Sequence, residues 1–134
     1  MRLVIRLVVA LIVLFALVMG LQQIAAESGE VVILTTRDGA GESHQTRLWV
    51  VDHDGQQWLR AGVAQSGWLL RLQADSLVKV ERDGVSRDYV AVPDPSREAE
   101  INGLMKDKYG WADSYIGFLF GRDGALPIGL QDGP

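Results

Sequence analysis

The segment that decides the fold is Thr46–Gly62, TRLWVVDHDGQQWLRAG. Two apolar runs that contain aromatic residues, Thr46–Asp52 and Gln56–Gly62, flank the dipeptide Asp54-Gly55. Asp-Gly between such runs is a strong signal for a tight hairpin, because both turn residues tolerate a positive φ. The segment therefore predicts two antiparallel strands joined by a short turn.

The same pattern recurs on both sides of this hairpin. Val31–Thr36 is a β-branched apolar run typical of a buried strand, and Leu77–Glu81 and Val85–Val92 flank a second turn at Asp83-Gly84. Strands do not alternate with long helices in this order. The pattern predicts an α+β domain, mainly β, with five or six strands in a small antiparallel barrel rather than a doubly wound sheet.

A last short strand is expected at Leu126–Leu130, where Pro127 belongs at a sheet edge. Three other segments have the apolar spacing of a helix. The helices are expected at Gly67–Ala74 with Ser66 as the cap, from Ser96 to Tyr109, and from Ala112 to Leu119.

The N-terminal segment predicts a membrane anchor. Leu7–Ala26 is free of charge, and 20 helical residues span roughly 30 Å, the thickness of one hydrocarbon core. Arg2 and Arg6 precede it and favour a cytoplasmic N-terminus. We expect an anchor at residues 1–26 and one domain at residues 27–134. In a bacterium the chain would then cross the inner, cytoplasmic membrane once, with the domain on the extracytoplasmic side.

Two other interpretations of this segment stay open. A cleaved signal peptide would make the protein secreted or periplasmic, but it needs small residues at −3 and −1 of the cleavage site. Cleavage after Ala26 places Ile24 at −3, and cleavage after Ala25 places Gln23 there. The third interpretation is a helix buried in the protein.

Charge and composition exclude several function classes. The chain has 13 basic and 17 acidic residues, and without Arg2 and Arg6 the domain carries 11 against 17, a net charge of −6. Such a domain does not suit a nucleic-acid backbone. The absence of cysteine excludes disulfides, thiolate nucleophiles and cysteine zinc sites. His44 and His53 lack metal-ligand spacing, so no metal site is expected.

Four motifs in order resemble the split-barrel flavin and deazaflavin reductases, in particular the deazaflavin-dependent nitroreductase family with its pyridoxamine-phosphate-oxidase-like barrel. TTRDGAGESH at 35–44 aligns without a gap with that family's TTGRKSGxPR-type segment, and Leu48-Trp49 matches its Leu-aromatic pair. SGWLLRL at 66–72 is similar to its Trp-containing helix, and KYGW at 108–111 resembles a Lys-Tyr pattern of a related branch. The resemblance covers about residues 31–130.

The resemblance implies a site for a flavin (FMN) or a deazaflavin, with a loop at 37–43 that holds the cofactor phosphate. The family's Arg-Lys is replaced here by Asp38-Gly39 and a later Arg by His44. Catalytic residues are not assigned. The implied cofactor-binding residues are Thr36, Arg37, Gly39, Gly41, His44, Arg47, Trp49, Arg60 and Trp68, and the substrate-facing aromatics are Tyr109 and Tyr115.

Each of these residues also has a purely structural interpretation. Arg47 and Arg60 suit a solvated strand face, Trp68 a helix face in the core, and Tyr109 and Tyr115 core or dimer packing. Asp52-His53-Asp54 suits the end of a hairpin.

Two functions follow from these expectations. The first is a membrane-anchored oxidoreductase that transfers a hydride or electrons to a small quinone-like or nitroaromatic acceptor; an obvious acid–base pair is not required, because the cofactor carries the chemistry. The second is a non-catalytic barrel, a binding or assembly module that has lost the cofactor, which Asp38 and Gly39 favour. A homodimer is a further expectation.

Overall fold

A computed structural model describes residues 1–27, 29–63, 65–121 and 124–133. Seven strands form one sheet in the order β2-β1-β5-β6-β7-β4-β3, and every neighbouring pair in it is antiparallel. The strands are β1 (Val31–Arg37), β2 (Ser43–Trp49), β3 (Val51–His53), β4 (Gln56–Ala61), β5 (Leu77–Arg82), β6 (Val85–Pro93) and β7 (Leu126–Asp132).

Four α-helices accompany the sheet: α1 (Arg2–Ala26), α2 (Gly67–Ala74), α3 (Glu98–Tyr109) and α4 (Trp111–Phe120), with a short 3₁₀ turn at Pro95–Arg97 before α3. The α+β class and the antiparallel half-barrel agree with the sequence. Ser66 is the N-cap residue of α2, but its hydroxyl donates to the Val63 carbonyl (2.8 Å) and accepts no hydrogen bond from a helix amide.

The expected single strand at Thr46–Asp52 is wrong, and so is the count of five or six. The chain leaves β2 at Trp49 and starts β3 at Val51, because the Val50 amide donates to the Tyr109 hydroxyl (3.0 Å) instead of to a strand. β2 and β3 lie at opposite ends of the strand order, so Val50 is the corner at which the sheet curls back on itself. The Asp54-Gly55 hairpin is present, with positive φ at both residues.

Pro127 does not lie at a sheet edge. β7 runs between β6 and β4, where Pro127 is paired with Arg60. The ladder with β6 begins only at Ile128, and the Pro127 carbonyl accepts a bond from the Asp94 amide (2.9 Å). The proline is tolerated because it occupies the second position of the strand, beyond the end of one neighbouring ladder.

Two apolar clusters hold the domain together. The larger lies between the curled sheet and α2 and includes Trp68, Leu34, Leu59 and Ile128. The smaller joins β3 and β4 to α3 through Val51, Trp58, Ile101, Met105 and Tyr109.

The helix α1 is long and apolar enough to cross a membrane by length and composition, a property that signal sequences share. Its most apolar window is not buried against the rest of the described chain, in contrast to the helix of a soluble core. Only its last turns meet the domain, where Ala25 is fully buried.

Candidate functional site

A pocket of about 190 Å³ lies where the end of α1 meets β2, β4, α3 and α4, and we call it the junction pocket. Three of the residues expected to bind a cofactor line it together: Arg47, Trp49 and Arg60. Arg47 and Trp49 share one side of β2 because side chains alternate along a strand. The full lining comprises Ala26, Arg47, Leu48, Trp49, Arg60, Gly62, Met105 and Ile116.

Arg60 is part of a buried ion pair. Its guanidinium donates to the Asp113 carboxylate (2.6 Å) and to the Asn102 side-chain oxygen (3.2 Å). The two charged side chains are only 6% and 9% exposed. The pair ties β4 to α3 and α4 and balances the charge of Arg60 inside the protein, so Arg60 is not a residue of a solvated strand face.

Arg47 is paired in the opposite environment. It donates to both carboxylate oxygens of Glu27 at 2.7–3.0 Å, and both side chains are about half exposed. The hydrogen bond from Arg47 holds the pKa of Glu27 below its usual range. Because water competes for both groups, an exposed pair of this kind is weakly held and can exchange for another anion.

The ring of Trp49 is stacked on Tyr109, with ring centroids 4.2 Å apart and ring planes within 7° of parallel. The Trp49 indole donates to the Ala26 carbonyl (2.9 Å), and the Tyr109 hydroxyl donates to the Glu30 carbonyl (2.6 Å). Burial raises the pKa of Tyr109. Each ring therefore covers one face of the other, which leaves only their remaining surfaces for a ligand.

The loop expected to hold a phosphate is closed by its own carboxylate. The Asp38 side chain accepts hydrogen bonds from the amides of Ala40 (2.9 Å) and Glu42 (3.0 Å), and its other oxygen lies 2.7 Å from His44 Nε2. The Gly41 amide donates to the Asp38 main-chain carbonyl (3.0 Å). The contact with His44 and the hydrogen bonds from the Glu42 and Ala40 amides hold the pKa of Asp38 below its ordinary value. The amides of Ala40 and Glu42 are thus already bonded to the Asp38 carboxylate.

The remaining expected residues lie elsewhere. Thr36 is buried and its hydroxyl accepts from Arg71 (2.8 Å), whereas Trp68 belongs to the larger core cluster. Gly39 lies in the closed loop, where an added Cβ would meet no atom. Arg37 lines a separate pocket between β1 and β5, and the Tyr115 hydroxyl donates to the Val18 carbonyl of α1 (3.1 Å).

Sequence reasoning missed the acidic partners of the two pocket arginines, Glu27 and Asp113. Asp113 had a recognisable signal, since it is the single charged residue of the otherwise apolar segment WADSYIGFLF. A lone acid in such a helix is expected to be paired with a base. Glu27 had no such signal, because it directly follows the apolar helix α1.

One further charged cluster lies at the β3–β4 turn. Single ligand atoms of His53, Asp54 and Glu100 all lie within 4.8 Å of one another. Arg97 offsets part of this negative charge, at 2.8 Å from Glu100 and 3.5 Å from Asp54. Asp52–Asp54 is also the end of a hairpin, as its structural interpretation states.

No protein-family model matches the sequence, and no curated protein is similar to it. Solved structures do match the fold. An F420-H2-dependent reductase has a TM-score of 0.59 at 18% identity, over 76% of this chain and 94% of its own. A putative pyridoxamine 5′-phosphate oxidase from Listeria innocua has a TM-score of 0.55 at 17% identity, over 85% of this chain and 91% of its own. The heme storage protein HutZ from Vibrio cholerae has a TM-score of 0.61 at 13% identity, over 84% of this chain and 87% of its own. At these identities the likeness establishes the split-barrel fold.

Proposed function

We propose that the protein is a membrane-anchored split-barrel oxidoreductase that binds a flavin or deazaflavin and reduces a small quinone-like or nitroaromatic acceptor. Residues 1–26 form the anchor and residues 27–134 the domain. The observation that carries the proposal is the convergence of Arg47, Trp49 and Arg60 on the junction pocket. The fold supports it, because an F420-H2-dependent reductase and a putative pyridoxamine 5′-phosphate oxidase share it.

The junction pocket fits part of such a cofactor. Leu48, Met105 and Ile116 supply apolar walls for a ring system, and Arg47 can exchange Glu27 for a phosphate at the exposed side. The volume of about 190 Å³ is below the roughly 300–1,000 Å³ typical of sites that enclose a drug-sized ligand. The pocket therefore holds one portion of the ligand, and the rest lies outside it.

The bound cofactor supplies hydride or electron transfer, and the protein supplies position. Arg47 orients the ligand through its anionic group with charge-assisted hydrogen bonds. The pair of Arg60 and Asp113 fixes α4 against β4, so Ile116 stays at the pocket wall. The stacked rings of Trp49 and Tyr109 hold the other wall rigid and keep water from the Val50 corner.

Absorbance and titration of the purified full-length chain in detergent test this proposal. We expect flavin-like absorbance or saturable binding of added FMN or deazaflavin, and Arg47→Ala should weaken binding by about tenfold or more. Arg87→Ala is the matched control, because Arg87 is an exposed arginine on β6 that does not line the junction pocket. Equal binding by both variants would remove Arg47 from the site.

A non-catalytic binding or assembly module is the second candidate, and the closed loop at Asp38 favours it. If the carboxylate has replaced the cofactor phosphate, the parent chain is colourless and binds neither FMN nor deazaflavin. Asp38→Ser should then free the amides of Ala40 and Glu42 and give measurable binding of inorganic phosphate. Asp75→Ser is a control on another exposed carboxylate.

The anchor is tested separately by fractionation. We expect the full-length protein to stay with inner-membrane vesicles during carbonate extraction, because the charge-free run from Leu7 is long enough to span the bilayer. Protease added from the extracytoplasmic side should reach the domain. Release of the unprocessed chain by carbonate would contradict the anchor, and a shortened mature chain would show a cleaved signal peptide.

A further inference from the structure

The helix α4 carries an aromatic stripe whose two outer rings, Trp111 and Phe118, are exposed. Trp111 is 54% exposed and Phe118 is 87% exposed. Together with Tyr115 they are spaced i, i+4, i+7, which places all three on one face of the helix. Phe120, at the end of the helix, is 58% exposed. Large aromatic surfaces of this kind mark contact sites on folded proteins.

The opposite face of α4 is already committed to the domain. Ala112 and Asp113 are buried, Asp113 is paired with Arg60, and Ile116 lines the junction pocket. From Ser114 to Gly121 the sequence SYIGFLFG contains no charge. The exposed rings of Trp111 and Phe118 are therefore not needed to hold α4 against the sheet.

The central residue of the stripe fixes the position of α4 relative to α1. The Tyr115 hydroxyl donates to the Val18 carbonyl, so the stripe meets α1 inside its apolar run. Val18 lies four residues before Gln22, the first polar residue after that run, or about 6 Å along the helix axis. Phe118 lies one turn beyond Tyr115 on the same face.

We propose that α4 lies in the interface of the bilayer that α1 enters, with Trp111 and Tyr115 at headgroup level and Phe118 in contact with acyl chains. This inference rests on the proposed anchor, and it does not depend on a cofactor. Trp and Tyr are enriched at membrane interfaces because one end of the ring system is apolar and the other polar. An apolar helix face beside a spanning helix extends the lipid-facing surface into the domain.

The occupant is lipid rather than a second copy of the chain, because the stripe continues the apolar surface of α1. That surface is itself exposed along its length, from Leu3 to Leu17. As a consequence the wall residue Ile116 and the end of α1 at Ala26, both of which line the junction pocket, lie next to the bilayer surface.

The experiment uses the absence of cysteine in the natural chain. Phe118→Cys, Leu14→Cys and Val85→Cys are made one at a time in the full-length protein, labelled with a polarity-sensitive fluorophore and reconstituted into vesicles of phosphatidylcholine and phosphatidylglycerol. Quenching by acyl-chain spin-labelled lipid is compared with quenching by aqueous iodide. Val85 is the matched control, an exposed apolar residue at the β5–β6 turn. Phe118 is so exposed that its replacement disturbs little packing.

We expect the Phe118 probe to be quenched by lipid as the Leu14 probe is, with a blue-shifted emission, and the Val85 probe to be quenched by iodide alone. Iodide quenching at Phe118 alongside lipid quenching at Leu14 would overturn the inference and leave the anchor standing. Protection of Phe118 from both quenchers, with cross-linking between two copies, would overturn it in favour of a dimer. Absence of lipid quenching at Leu14 would overturn both the anchor and the inference.

Discussion

The junction pocket and the loop at residues 38–44 place charge in different ways. In the loop, Asp38 finds its partners Ala40, Glu42 and His44 within six residues of itself, on an exposed turn. In the pocket, Arg60 finds Asp113 53 residues further along the chain, in a place from which water is excluded. The hydrogen bonds of the loop join residues close in the chain, whereas the pocket exists only when the sheet has curled and both helices have packed.

This difference predicts which substitutions have a local effect and which affect the whole fold. A change in the loop alters a turn and leaves the barrel intact. A change at the buried side of the pocket removes a link between the sheet and two helices. The exposed side of the pocket, at Arg47 and Glu27, resembles the loop in its exposure and the buried pair in its long separation along the chain. The following predictions test whether burial or separation along the chain decides how much a substitution destabilises the protein.

The largest expected effect is that of Asp113→Ala. Removal of the carboxylate takes the ion-pair partner at 2.6 Å away from the buried Arg60 guanidinium, which should lower the free energy of unfolding by about 3–5 kcal/mol. The measurement is thermal unfolding of the full-length chain in detergent, followed by circular dichroism. Asp107→Ala, an exposed carboxylate on α3, is the control and should change little. Equal midpoints for the two variants would show that the buried pair is not a structural link.

A smaller loss is expected for Tyr109→Phe. The ring and its stacking on Trp49 remain, but the buried amide of Val50 loses its hydrogen-bond acceptor and the sheet corner loosens. Leaving one buried donor unpaired costs about 1–3 kcal/mol. The same unfolding measurement applies, with Tyr89→Phe as the control, since the Tyr89 hydroxyl is bonded to a part-buried side-chain amide instead. A Tyr109 variant that unfolds no earlier than this control would argue against the corner.

Acid should open the loop as Asp38 becomes protonated. The pKa of Asp38 is lowered, first by its bond with His44, so its contribution is present above its ordinary value of 3.8 and is lost as the pH falls through the lowered pKa. Amide resonances of Ala40 and Glu42 should therefore shift only below about pH 3.8, with those of the sheet unchanged. In Asp38→Asn this transition should disappear. Its persistence would assign the titration to another group.

The smallest expected effect is that of Arg47→Ala on stability. Arg47 and Glu27 are both well exposed, so the pair holds little structure even though it joins distant segments. We expect an unfolding midpoint close to that of the parent and to that of Glu27→Gln. If Arg47→Ala destabilised the chain as much as Asp113→Ala does, separation along the chain rather than burial would decide how much stability is lost.

The sequence is informative about features that depend on neighbours in the chain. The hairpin at Asp54-Gly55, the bounds of α2 and the strand at Val31 follow from local pattern and turn chemistry, and the structure has them. The break at Val50 could not be foreseen, because the acceptor of its amide is a tyrosine 59 residues away. The prediction of Pro127 at a sheet edge was wrong for a similar reason, because the point at which the β6 ladder ends depends on the tertiary structure.

The candidate site divides along the same line. Arg47 and Trp49 share one side of β2 by alternation, so their shared wall follows from the sequence. The arrival of Arg60 beside them depends on the curl of the sheet. The glycines Gly39 and Gly41 lie in the turn where the sequence predicts a loop. Asp38 closes that turn and contacts His44 of β2, and a motif comparison aligns residue types without revealing which hydrogen bonds they make.

The central position of β7 has a consequence for the order in which the newly made chain can fold. β7 joins β6 to β4, so until it is present the strands β2-β1-β5-β6 and the hairpin of β3 and β4 are two separate pieces. Asp132 follows Ala61 by 71 residues, which takes several seconds of translation at about 5–20 residues per second. During that interval the edge of β4 that pairs with β7 has no partner, so the strand pairing of this hairpin depends on β3 alone.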